Sequence, residues 1–313
     1  MRAKLQHFPV MMFAVIMGFS GISIVYQKAA SILGYPHLIG LVLSYVTTVV
    51  FFIILFSYLA KMLLFFDAVK AEFSHPVRIN FFAAIAISFL LLAIIHEHLN
   101  PTFSKTLWVI GALLQAYLTF YTISFWINKN LEIQHSNPAW FIPIVGNVLV
   151  PIAGVKIASL EILVYFYSVG MFFWIVLMAI LLNRIIFHHQ LAVKFIPTLF
   201  ILIAPPAIGT ISYVKLTNSF DFFAGSLYSL GIFFTFLLLF MYKNFMKLKF
   251  FISWWAFTFP LAAVTISSLL AYHVTGKSIY AILAQGLIVI TTVVIAYVFY
   301  RTLRHSNEIC IPE

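Results

Sequence analysis

His96-Glu97-His98 and His188-His189 are the groups in this sequence best suited to chemistry, because imidazole and carboxylate side chains can hold a metal ion. A metal there would suggest a membrane oxidoreductase. The spacing argues against it: ligands share a helix face at i, i+3 or i, i+4, and neither group has that register. The topology derived below also puts the two groups on opposite sides of a membrane. Both read as interfacial loop histidines, with no metal and no cofactor. No GxSxG, Walker or HExxH motif is present, so no enzymatic activity is expected. Cys310 is the single cysteine, which excludes an internal disulfide and a thiolate metal cage.

The polar side chains that remain point to a different kind of work. The chain has 313 residues, 64% hydrophobic and 8% charged, against about 25% charged in a soluble domain. It therefore reads as an all-α integral membrane protein. The acids Asp67, Glu72, Glu97, Glu132, Glu161, Asp221, Glu308 and Glu313 fall in loops, span ends or the tail, and no Lys or Arg lies in the core of a span. A proton- or sodium-coupled carrier keeps an ionisable residue at membrane depth, and a cation channel commonly has a ring of acids or carbonyls. Neither pattern is present. What is left is an apolar conduit dotted with hydroxyls and amides: Ser20, Ser23, Asn147, Thr210, Ser212, Thr258, Thr265 and Ser268. Each hydroxyl is expected to bond its own helix backbone. Helix N-termini carry partial positive charge, so such a conduit favours anions.

Ten apolar runs must position these groups: 9–27, 38–60, 78–95, 106–127, 138–155, 162–182, 195–213, 222–242, 251–272 and 278–300. The first has no A-x-A cleavage site and is kept as a helix. Nine of the 12 prolines fall at or inside every second run: Pro9; Pro76; Pro138, Pro143 and Pro151; Pro197, Pro205 and Pro206; and Pro260. Pro36, Pro101 and Pro312 lie in loops or the tail. A proline inside a helix removes a hydrogen bond and clashes one turn back, and lipid tolerates the freed groups only when protein or a wet cavity covers them. Broken inner helices thus alternate with continuous, lipid-facing ones. The repeating unit is a two-helix hairpin, so the five repeats run parallel about an axis along the membrane normal. Their bounds are approximately 8–66, 75–128, 138–189, 194–243 and 250–302 of a single domain, 1–313. Five inner helices about 9–10 Å apart lie on a circle of radius about 8 Å, and subtracting about 5 Å of helix leaves a hole of roughly 3 Å radius. That width suits a small, largely dehydrated ion, and one bulky side chain would plug it.

With the N-terminus inside, 13 of the 18 Lys and Arg fall on the cytoplasmic side. The outer loops keep Lys28, Lys105, Lys156, Lys215 and Lys277. This satisfies the positive-inside rule and predicts a multi-pass protein of the inner (plasma) membrane with both termini cytoplasmic. The basic balance follows from this bias, and no nucleic-acid partner is expected. Lys61 to Arg78 reads as an extension of the second helix at the headgroup boundary. Trp108, Trp126, Trp140, Trp254 and Trp255 read as interfacial anchors.

Several motifs then carry a resemblance. Phe73-Ser74-His75-Pro76-Val77-Arg78 resembles the lead-in of the bacterial tellurite-resistance/dicarboxylate-transporter (TehA-like) family. Trp254-Trp255-Ala256-Phe257-Thr258-Phe259-Pro260 resembles the matching motif of its plant relatives, the slow anion channels of guard cells. Phe8-Pro9 and Ile203-Ala204-Pro205 fit the same order, and the likeness covers the whole chain. The resemblance implies five hairpins in a quasi-fivefold ring around a central pore, one pore per subunit of a homotrimer, and an occluding phenylalanine on the ninth helix. Matched residue by residue, that gate falls at Phe259, which also directly precedes a proline within its span. The family's first inner helix tends to be glycine-rich, whereas here Ala14 stands between Phe13 and Gly18, which leaves the local width open. The long phosphorylatable termini of the plant members have no counterpart here, so no kinase regulation is carried over.

The expectation is a gated channel for small inorganic monovalent anions such as chloride or nitrate, in a lipid bilayer. Phe259 is its gate, and Phe13, Ala14, Met17, Asn147, Pro205, Thr210 and Pro260 are candidates to line the pore. The alternative is a secondary carrier exporting tellurite, sulfite or a C4-dicarboxylate such as malate. A carrier of dianions would want Arg or Lys at depth, and none is found.

Overall fold

Prolines cluster where the inner elements begin. The computed structural model describes residues 2–306 and 308–310, so Pro312 and Glu313 lie outside the described residues. Ten helices carry the apolar runs: α1 Phe13–Leu33, α2 His37–Leu64, α3 Ala83–His96, α4 Pro101–Asn128, α5 Ile142–Gly154, α6 Leu160–Phe187, α7 Ala204–Thr217, α8 Phe222–Phe240, α9 Thr258–Thr275 and α10 Ser278–Arg304. Every odd-numbered helix is entered through a 3₁₀ segment: Val10–Met12, Arg78–Phe82, Pro138–Phe141, Val193–Ile203 and Ile252–Phe257. No even-numbered one is.

The prolines work differently from the mid-helix breaks expected of them. Pro9 precedes the first 3₁₀ segment and Pro138 opens the third. Pro143 and Pro205 stand in the first turns of α5 and α7, and Pro260 is the third residue of α9. A missing N–H is best tolerated there, in the first turn of an α-helix. Among the described residues Pro151 alone lies in an α-helix interior, and Pro197 lies inside a 3₁₀ segment. Tight 3₁₀ winding therefore hands over to α-helix within each inner span.

Burial separates the two sets. The 18-residue apolar windows of four inner spans are 67% to 89% buried, and those of the outer helices 28% to 44%. The remaining inner span, Pro138 to Gly154, is buried at every residue. Nine of the ten spans are long and apolar enough to cross a membrane, and Pro138–Gly154 is shorter. Each inner helix packs on the outer helix that follows it. Inner helices also pack on one another, α1 on α3, α3 on α5, α5 on α7, α7 on α9 and α9 on α1.

Two expectations are corrected. The chain does not continue α2 through residue 78: it breaks at Phe65, and a short helix, Phe66–Phe73, folds back. This brings Glu72 against Lys61, with Nζ 2.7 Å from Oε2. Lys61 also donates to the Phe8 carbonyl, and Glu72 accepts from the Val10 N–H and the Tyr58 hydroxyl. Lys61, assigned by sequence to a cytoplasmic segment, is 2% exposed. The tryptophans are the second correction, since Trp108, Trp140, Trp254 and Trp255 are buried rather than displayed at an interface. Trp108 Nε1 donates to the Val150 carbonyl and Trp255 Nε1 to Thr302 Oγ1, so each ties an inner element to an outer one.

Candidate pore

The 3₁₀-to-α junctions meet around a narrow apolar cavity of about 50 Å³. All five inner elements wall it. Met11, Ala14 and Met17 come from α1 and its lead-in, Phe81 and Ile87 from the α3 element, and Phe141, Ile142, Val145 and Leu149 from the α5 element. Thr198, Ile201 and Ala204 come from the α7 element, and Ile252, Ser253, Trp255, Ala256, Phe259 and Pro260 from the α9 element. No charged side chain is among these residues. The Thr198 and Ser253 hydroxyls are turned to backbone carbonyls, Phe195 and Lys194 respectively. Phe259 is 5% exposed.

A larger cavity of about 480 Å³ opens at the N-terminal ends of the inner helices, lined by Pro9, Val77, Arg78, Lys194, Phe195, Phe250 and Phe251 among others. It shares Met11, Phe81, Ile252 and Ser253 with the narrow cavity. Four inner helices thus start at the same face, and their N–H ends favour negative charge there.

Of the sequence candidates, Ala14, Met17, Phe259 and Pro260 come together on the wall of the narrow cavity. The others lie elsewhere. Phe13 packs edge-on against Tyr58 of α2, with ring centroids 5.8 Å apart. Asn147 donates to Thr119 Oγ1 of α4 at 2.8 Å and to the Pro143 carbonyl at 3.1 Å, and it borders a separate groove with Phe166 of α6. Thr210 donates to the Pro206 carbonyl at 2.9 Å. Pro205 is buried in the first turn of α7 and is not a wall residue.

Most of the hydroxyls behave as helix hydroxyls do. Thr258, Thr265 and Ser268 donate to carbonyls three or four residues back, and Ser23 bonds Ser44 of α2. Ser20 and Ser212 are the exceptions: both are buried with Oγ atoms that have no hydrogen-bond partner. The histidine groups are not brought together either. His96 Nε2 lies 2.9 Å from Thr48 Oγ1, whereas His188 and His189 follow the far end of α6. Among the described residues no three metal-ligating side chains converge.

Sequence reasoning missed Met11, Ile252, Ser253 and Trp255 as wall residues. Trp255 enters the interior because Gly18 of α1 leaves room for it: a Cβ on Gly18 would lie 2.8 Å from the indole Cε3 and would also meet Thr258 Oγ1. The signal was the run of small residues Ala14, Gly18 and Gly21 on α1, spaced three or four apart and so on one side of the helix.

The SLAC1 family profile, described as a voltage-dependent anion channel, matches residues 7–303. The chain is 29% identical over 311 residues to S-type anion channel SLAH3 of Arabidopsis thaliana, covering 96% of this chain and 49% of that protein. It is 28% identical over 309 residues to the uncharacterized transporter MJ0576 of Methanocaldococcus jannaschii, covering 90% and 89%. Over 295 residues it is 26% identical to the tellurite resistance protein TehA homolog of Haemophilus influenzae, covering 91% and 90%. The chain spans about half the length of the plant relatives SLAH3 and SLAH2, 49% and 58%.

Proposed function

Because the chain belongs to the SLAC1 family of voltage-dependent anion channels, we propose that this multi-pass membrane protein is a gated channel for small monovalent anions such as chloride and nitrate. The observation that carries the reading is the narrow apolar cavity walled by all five inner elements, with the Phe259 ring on its wall. In this reading residues 1–313 form one channel domain of ten helices. Its five hairpin repeats make a quasi-fivefold ring, a homotrimer in the plasma membrane with both termini cytoplasmic. The inner-helix contacts, which run from α1 through α9 and back to α1, support the ring.

Phe259 is the proposed gate, with Ala14, Met17 and Pro260 beside it. A cavity this apolar and this small sheds water, so the resting path is closed by dewetting as well as by bulk. Anion preference is supported by the absence of acids on the wall of the narrow cavity and by the inner-helix N-termini at the wider one, where Lys61, Arg78 and Lys194 accompany Glu72 and Glu308.

Purified protein in planar bilayers under a chloride gradient tests the reading. Stepwise currents that reverse near the anion equilibrium potential, unchanged when sodium is replaced by a large cation, are expected. Reversal near the cation potential overturns anion selectivity. Slow, saturable flux that depends on a counter-ion points instead to a carrier of tellurite, sulfite or C4-dicarboxylate.

A further inference from the structure

The five lysines that the topology assigns to the outer side have two fates. Lys105 and Lys277 belong to the starts of the outer helices α4 and α10. Lys156, just past α5, pairs instead with Glu97, the residue that follows α3, and Lys28 of α1 and Lys215 of α7 lie within charge range of it. Lys156 Nζ is 2.7 Å from Glu97 Oε1, and the side chains are 57% and 7% exposed. Lys215 and His98 also act on Glu97 through their charge, and Lys28 is within electrostatic reach of Lys215, Glu97 and Lys156. Four inner helices that pack in sequence, α1, α3, α5 and α7, thus bring three lysines within electrostatic range of one carboxylate at or near their C-terminal ends.

One lysine would suffice for a structural ion pair. Three leave two positive charges uncompensated, at the place where the negative C-terminal ends of the inner helices converge. An anion crossing this mouth meets repulsion from those carbonyl ends unless cations offset it. Glu97 already sits where such an anion would dock. Burial works to raise its carboxyl, but the Lys156 hydrogen bond and the charges of Lys215, Lys156 and His98 outweigh that and hold it below the usual carboxylate range.

We propose that Lys28, Lys156 and Lys215 form a docking site for a small monovalent inorganic anion at this mouth, and that the Glu97 carboxylate is its tethered occupant and competes with the arriving ion. Glu97 then sets how strongly the mouth concentrates anions. This inference rests on the anion-channel reading.

The test uses chloride, varied on the side of the C-terminal ends of the inner helices, with the full-length Phe259→Ala protein in planar bilayers. Adding Glu97→Gln is expected to lower the half-saturating chloride concentration about fivefold, the effect of one unit charge a few ångströms away in water-like surroundings. Lys215→Gln is expected to raise it severalfold while keeping the Lys156–Glu97 hydrogen bond. Lys277→Gln, on an outer helix, leaves it unchanged. Equal half-saturation in the parent, Glu97→Gln and Lys215→Gln proteins overturns the proposal, as does a Lys277→Gln effect as large as that of Lys215→Gln. If Glu97→Gln fails to assemble, Lys215→Gln decides alone. Chloride-35 line broadening on the purified protein reads the site without any current. Broadening that grows in Glu97→Gln and shrinks in Lys215→Gln, in a protein that passes no current, keeps the docking site while overturning the channel.

Discussion

A Cβ on Gly21 of α1 would lie 2.6 Å from the Cβ of Ala262 on α9 and 3.5 Å from Cδ2 of Phe259. The proposed gate therefore rests against bare backbone, and the spacing of α1 and α9 is set by a missing methyl group. Gly21→Ala is expected to cost about 1–3 kcal/mol through overpacking, read as a lower melting temperature in detergent. Adding Ala262→Gly moves the methyl across the contact and is expected to recover part of the loss. A Gly21→Ala protein as stable as the parent would show that the two helices separate freely.

Phe259→Ala removes the one large ring that α9 itself sets on the narrow cavity, and it is expected to raise anion conductance at least severalfold with assembly intact. Phe257, two residues earlier, packs edge-on against Phe200 and Phe245, with ring centroids at 4.8 and 5.7 Å. Phe257→Ala is expected to lower stability by about 3–5 kcal/mol and to leave the conductance at its resting level. Bilayer recordings of both proteins check this, and opening by Phe257→Ala alone would move the gate.

The Lys61–Glu72 pair pins the start of α1 to the end of α2. Lys61→Met leaves the carboxylate buried and uncompensated, at an expected cost of about 3–5 kcal/mol. The double change Lys61→Met, Glu72→Leu is expected to regain much of that, because two apolar groups need no partner. Thermal unfolding of the three proteins, compared as a cycle, measures the coupling.

Acid has a defined direction at Glu97. Its carboxyl is held low in the folded protein by Lys156, Lys215 and His98 against the opposing effect of burial. Its contribution to stability is therefore complete above the unfolded carboxylate range and is lost as pH falls through the lower folded value. The melting temperature of the parent is expected to drop more steeply over that acid window than that of Glu97→Gln. Parallel profiles would remove Glu97 from the pH response.

The alternation of inner and outer helices was legible because most prolines fall in or just before the inner elements, and proline is poorly tolerated in an unbroken helix. The facing of individual residues was less so. Ala14 and Met17 line the cavity while Asn147 turns to Thr119, and all three sit on inner helices. A 3₁₀ lead-in advances three residues per turn where α-helix advances 3.6, so a face counted across the junction drifts. Lys61 was out of reach for another reason, since its partner lies beyond a break at Phe65 that no proline or glycine announces. Trp255 looked interfacial because it falls near the end of an apolar run. Its interior place is set by Gly18, on a helix at the other end of the chain.

The common direction of the inner helices has an electrical consequence. Inverted repeats would relate the two faces of the protein by symmetry, but repeats that all point the same way leave the faces unrelated. One end of the inner helices gathers N-termini beside Arg78 and Lys194, and the other gathers C-termini near Lys28, Lys156 and Lys215. An ion on the proposed path would thus cross a field with a built-in slope. Equal and opposite voltages should drive unequal currents, so the molecule should rectify even in identical solutions on both sides.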